Sequence, residues 1–116
     1  MKQHDRKVWR RALHALRLEC HPLLPVRVRL LPGPSKHCGH TALAQDEAGF
    51  NISVFRSVID RGHPRPMTRL EMIDTLVHEW AHALSWPGVP DEFALDRHDA
   101  AWGVAYARCY QTVVED

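Results

Sequence analysis

Residues 68–84 constrain the fold of this 116-residue chain more than any other segment. Thr68 and Glu71 have the three-residue spacing of a capping box, in which each side chain satisfies a free backbone N–H of the first helical turn. Met72, Ile73, Leu76, Val77, Trp80, Ala83 and Leu84 follow at helical spacing and predict a broad apolar face. Pro87-Gly88 closes the helix. A helix with such a face must be covered by other elements.

The remaining segments supply candidates for that cover. Val8, Trp9, Ala12, Leu13 and Leu16 repeat at helical spacing and predict a helix over 5–20, ended by His21-Pro22 because a residue before proline avoids helical geometry. Alternation predicts a strand over 26–31, and two further strands fit 41–45 and 50–55, with Phe50, Ile52 and Val54 on one face. Residues 32–36 read as a turn, 46–49 as a hairpin loop and 61–66 as a loop rich in glycine and proline. A connector over 89–95 leads to a last helix from near Asp96 to about Val114. The expected architecture is a single α+β domain: an N-terminal helix, a small three-stranded sheet and two C-terminal helices.

Composition narrows the function classes. Cys20, Cys38 and Cys109 are too few and too scattered for a disulfide framework and form no C-x-x-C pair, so they read as reduced, largely buried thiols. No apolar run approaches the roughly 20 residues that span a bilayer, so no membrane contact is expected. No secretory signal follows the charged N-terminus, which makes a cytoplasmic location the expectation. Basic residues gather in the first thirty positions, where only Asp5 and Glu19 are acidic. That basic helix could make a weak nucleic-acid contact, but no aromatic or glycine-rich motif accompanies the charge, and a solvated helix face is the preferred reading.

Nine histidines are many for this length, and imidazole is the commonest metal ligand. His78 and His82 lie four apart, so on a helix their rings share one face, a turn apart. This lets both bind one zinc ion, with Glu79 beside them as general base toward a water on the metal, the H-E-x-x-H pattern. A catalytic zinc has three protein ligands and an open position. His98 is the preferred third ligand, with Asp91, Glu92, Asp96 and Asp99 as oxygen alternatives and Trp102 as a wall. Tyr106, two turns after His98, is a candidate second donor to an oxyanion, set against the commoner role of a core tyrosine. Asp74 and Thr75, one turn before His78 and Glu79, are candidates to orient the ligands. His37, Cys38, His40 and His63 read as loop residues.

His78-Glu79-Trp80-Ala81-His82 followed by His98-Asp99-Ala100-Ala101-Trp102-Gly103 resembles the SprT-like zinc metallopeptidases. In that family H-E-x-x-H precedes a third histidine in an H-G-x-x-W/F-type motif; Asp99 stands here in place of the glycine. The resemblance implies a minimal zincin fold of the bare catalytic kind that small phage or mobile-element proteins carry. It also implies one Zn2+ held by His78, His82 and His98, Glu79 as catalytic base, and protein or peptide substrates.

Two function classes follow. One is a zinc-dependent peptidase, with the 50–55 strand as the edge along which an extended peptide pairs. The other is a zinc-stabilised binding or virion-associated module that hydrolyses nothing. An intact Glu79 favours the enzyme, because a structural site needs no base.

Overall fold

A computed structural model describes residues 2–88 and 92–115 and gives an α+β fold. Helix α1 (Gln3–Glu19) is followed by five strands: β1 (Val26–Leu31), β2 (Gly39–Leu43), β3 (Phe50–Phe55), β4 (Ser57–Asp60) and β5 (His63–Pro66). Helix α2 (Arg69–Leu84), a short 3-10 helix (Glu92–Leu95) and helix α3 (Ala100–Glu115) complete the order. No helix among the described residues is long and apolar enough to cross a membrane.

The main sheet runs β1-β3-β2, so β3 lies at its centre. The tight 46–49 connection makes β2 and β3 antiparallel, with Thr41 opposite Ile52 and Leu43 opposite Phe50. The connection survives as a hairpin loop because Ala44 N–H donates to the Gly49 carbonyl and Asp46 accepts from Ala48 N–H. β1 joins the other side of β3 in parallel, pairing Val26 with Phe50 and Val28 with Ile52. The expectation that 50–55 forms an edge strand is therefore corrected: both of its sides are paired, and the edges are β1 and β2. The inward side chains explain the choice, since Phe50, Ile52 and Val54 are all essentially inaccessible and need the middle of the sheet.

Helix α2 lies on β2 and β3, and both α1 and α3 pack against it. Trp80, Leu76 and Val77 fill the space between helix and sheet, together with Leu16 of α1. The Trp80 indole N–H donates to the Cys20 carbonyl at 2.8 Å, which satisfies its one polar atom and ties α2 to the end of α1. Cys20 and Cys109 are buried and Cys38 is exposed, the last contrary to expectation; it sits at the outer edge of the sheet just before β2.

The 61–66 segment is a second correction. It belongs largely to a two-stranded hairpin, β4 with β5, and not to a loop. Pro64 and Pro66 disguise the strand because proline cannot donate to a ladder, but a strand paired on one side only tolerates it. Arg61 and Gly62 both take positive φ, 52° and 81°, as a two-residue turn matched to strand twist requires. Arg65 then clamps the hairpin to α2: its guanidinium donates to Asp60 at 2.8 Å and to both Glu71 oxygens at 3.0 and 2.8 Å. Glu71 also completes the capping box with Thr68. Helix α3 starts at Ala100, four residues later than the expected start near Asp96, because the Asp99 carboxylate accepts from Trp102 N–H at 3.0 Å and so caps the helix.

The Arg65 guanidinium holds the Glu71 carboxyl down to about 2 from 4.5. A depressed carboxyl contributes stability that is present above its unfolded pKa and is lost as pH falls through the folded one. Glu71→Gln is accordingly less stable than wild type at pH 7, and the difference shrinks as pH falls from about 4.5 to about 2. Urea unfolding across a pH series reads this, and a pH-independent difference would remove the ionic part of the clamp.

Candidate metal centre

Two antiparallel helices build the site. The contacts of α3 and the residues just before it with α2 form rungs one turn apart: His98 faces His82, Trp102 faces His78, and Tyr106 faces Asp74. His78 and His82 project together because four residues return a side chain to the same helix face. His98 precedes α3 and is fixed there by the Asp99 cap, which anchors the first helical turn immediately after it.

The three Nε2 atoms form a nearly equilateral triangle, with His78–His98 at 3.1 Å, His82–His98 at 3.2 Å and His78–His82 at 3.3 Å. Among the described residues this is a group of ligand-type side chains that could hold one metal ion. Hydrogen bonds alone cannot satisfy such a triangle. Each Nε2 is either a donor or an acceptor, and with three atoms at least one pair must be alike. A cation between them satisfies all three lone pairs at once. Nitrogens on a tetrahedral zinc at about 2.0–2.1 Å would stand about 3.3–3.4 Å apart, close to the spacing found here. The donor set therefore fits the ion.

Burial is graded across the triangle. His82 is buried, His78 is half-buried and His98 is exposed, so one side opens to solvent. Burial, with the neighbouring His78 and His98, pushes the His82 pKa down to about 4 and keeps its ring in the neutral, ligating form at pH 7. Its Nδ1 is buried with no hydrogen-bond partner among the described residues, which leaves Nε2 as the atom aimed at the cluster. Trp102 walls the site: its ring centroid lies 4.7 Å from that of His98 and 4.9 Å from that of His78, and its indole N–H donates to the His78 carbonyl.

Glu79 lies beside the triangle and is buried, with Oε2 4.0 Å from His78 Nε2. The hydroxyl of Tyr106 donates to Asp74, and its ring stacks on Trp102 at 5.1 Å. That hydrogen bond, followed by burial, raises the Tyr106 pKa to about 12. Asp74 is thus occupied with Tyr106. Thr75 is bonded to its own helix, donating to the Glu71 carbonyl at 2.7 Å. Among the described residues neither is hydrogen-bonded to a histidine.

Of the oxygen alternatives for a third ligand, Asp99 is used as a helix cap, and Asp96 is outside the cluster. Asp91 lies outside the described residues, as does the side chain of Glu92. Sequence reasoning did not single out Thr41, whose hydroxyl reaches Glu79 from β2. The signal was faint: a polar residue at an inward position of a strand, which in isolation is ordinary. The basic residues of α1 stay exposed on its outer side, where Gln3, Arg6, Lys7 and Arg10 line a shallow groove.

No protein family, curated protein or solved structure matches the chain.

Metal analysis of the purified protein is expected to find one bound zinc ion per chain, and His98→Ala to lose it, because two ligands make a poor zinc site. Asp99→Ala costs about 1 kcal/mol of stability as a lost cap but keeps the metal. Zinc retained by His98→Ala and lost by Asp99→Ala would reverse the assignment.

Proposed function

We propose that this chain is a zinc-dependent peptidase in which His78, His82 and His98 hold one zinc ion and Glu79 is the general base. The observation that carries this reading is the triangle of imidazole nitrogens with a buried carboxylate against its rim. A zinc ion held only for structure is closed by a fourth protein ligand. Among the described residues the cluster has three members, and its His98 side faces solvent. A site of that shape admits a water and a substrate carbonyl, and it has no use for Glu79 unless a proton is to be moved. The likeness to SprT-like peptidases and their minimal zincin fold rests on the two sequence motifs alone.

Bound at the three histidines, zinc would act as a Lewis acid toward a water and a carbonyl oxygen. Glu79 takes the proton as the water attacks the peptide carbonyl, then delivers it to the leaving amine. Burial keeps the carboxylate free of competing solvent, and Trp102 limits the space around His78 and His98. Extended polypeptide is the substrate this geometry favours. Among the described residues β2 has a strand partner on one side only and carries Thr41 at Glu79, so a peptide added along its other edge would run past the site. Tyr106 can serve as the second oxyanion donor only by releasing Asp74. The location is proposed to be cytoplasmic. A weak nucleic-acid contact remains a proposal for the exposed cations of α1 alone.

Glu79→Gln is expected to keep its zinc and to lose hydrolysis of an unfolded protein such as denatured casein by about 10²-fold or more, the range of general base catalysis. Full activity in that variant would remove the mechanism. Tyr106→Phe separates the two roles of the tyrosine: a fall in kcat at constant zinc content assigns it the oxyanion, whereas unchanged kcat with reduced stability leaves it as a packing residue bonded to Asp74.

A further inference from the structure

The two carboxylate oxygens of Glu79 have different neighbours. Oε1 accepts from the Thr41 hydroxyl at 2.7 Å, and Oε2 is the oxygen 4.0 Å from His78 Nε2, on the side where the imidazoles converge. Both residues are buried, Thr41 at 3% exposure and Glu79 at 8%. The same hydroxyl lies 3.0 Å from the Glu79 backbone carbonyl, so one side chain meets both the main chain and the carboxylate of this residue. A hydroxyl has one proton to give, and the shorter bond, to the carboxylate oxygen, is the stronger claim on it.

Gly39, two residues earlier and on the same inward face of β2, sets the approach of the strand. A Cβ there would stand 2.6 Å from Thr75 Cγ2, 2.9 Å from the Ser53 carbonyl oxygen and 3.1 Å from Glu79 Cγ. The Ser53 oxygen is backbone of β3, and on the α2 side Thr75 is held by its own hydrogen bond to the Glu71 carbonyl, so any larger residue would shift β2 against both and take the Thr41 hydroxyl with it.

We infer that Thr41 is the positioning residue for Glu79: by holding Oε1 it turns Oε2 toward the metal side, and Gly39 permits the strand-to-helix approach that delivers the hydroxyl. Its catalytic consequence rests on the peptidase reading above, while the orientation of Glu79 toward a metal at the three histidines does not. Thr41 touches neither metal nor substrate and acts only through Glu79. A displacement of the order of an ångström in a reacting group is enough to cost about a hundredfold in rate.

The test uses the zinc-loaded full chain as wild type, Thr41→Val, Thr41→Ser, Glu79→Gln and the double variant Thr41→Val with Glu79→Gln. Each is read for zinc content, for kcat and KM on denatured casein, and for the affinity of acetohydroxamate, a zinc chelator that also hydrogen-bonds to a carboxylate beside the metal. Thr41→Val is expected to keep its zinc, to lose about ten- to a hundredfold in kcat with KM within about twofold, and to bind acetohydroxamate about tenfold more weakly. Thr41→Ser restores most of both, and Thr41→Val adds no further loss in the Glu79→Gln background.

Unchanged kcat and hydroxamate affinity in Thr41→Val would overturn the inference. So would a loss that Thr41→Ser does not recover and that follows zinc content. If Thr41→Val does not fold, Thr41→Ala takes the same readings. Wild type that hydrolyses nothing, or Glu79→Gln that hydrolyses normally, sinks the peptidase reading by itself. The hydroxamate affinities then decide on Thr41. Affinity that falls in both Thr41→Val and Glu79→Gln upholds the orientation, and affinity indifferent to Glu79 overturns it.

Discussion

Everything at the site depends on the antiparallel seating of α3 on α2. Two helices packed this way meet at intervals of one turn, and here the repeat brings His98 to His82, Trp102 to His78 and Tyr106 to Asp74. A rotation of either helix would separate all these pairs together. The register is held by side chains that serve packing and site at once. Trp102 meets the rings of His78 and His98 edge to face and hydrogen-bonds to the α2 backbone, and Tyr106 couples its ring to Trp102 and its hydroxyl to Asp74. The Asp99 cap decides where α3 begins, and so where His98 is left.

The opposite side of α2 imposes the second constraint. Trp80, Leu76 and Val77 bury against the sheet and α1, which points His78 and His82 toward α3 and leaves Glu79 at the boundary between sheet and metal centre. A buried carboxylate needs partners for its oxygens, since an unpaired charge away from water is costly. Thr41 supplies one from the sheet. Glu79 is thereby held between a strand and the cluster of three histidines. The helix N-terminus is pinned separately, through the capping box and the Arg65 clamp from the β4–β5 hairpin. Helix α2 is thus tied along its length to the sheet, to the hairpin and to both other helices.

The donor triangle and the base answer different requirements. Three imidazole Nε2 atoms at mutual distances of 3.1–3.3 Å could hold a cation, whatever the protein does with it. A carboxylate that points its free oxygen at the same spot is a requirement of proton transfer and not of ion binding. The meeting of His78, Glu79 and His82 on α2 with His98 from the segment before α3 is what directs the functional reading to hydrolysis.

Much of this was legible in the sequence because it is written in local periodicity. The capping box of Thr68 and Glu71, the apolar stripe to Trp80 and the pairing of His78 with His82 all follow from the geometry of one helix and needed no knowledge of its neighbours. The strands at 26–31 and 50–55 could be read from alternation for the same reason. Strand order could not, because the place of β3 between β1 and β2 is settled by which faces can be buried together, a property of the whole sheet. Pro64 and Pro66 hid a strand whose pairing on one side only makes proline tolerable there. Thr41 is the clearest case of what only the tertiary structure decided: no spacing links it to Glu79 in the chain, and their contact exists because Gly39 lets a strand and a helix approach closely. The sequence by itself determined the helix and the chemistry it carries, since both repeat within a turn or two. Folding determined the partners of that chemistry, since these come from distant segments brought together by burial.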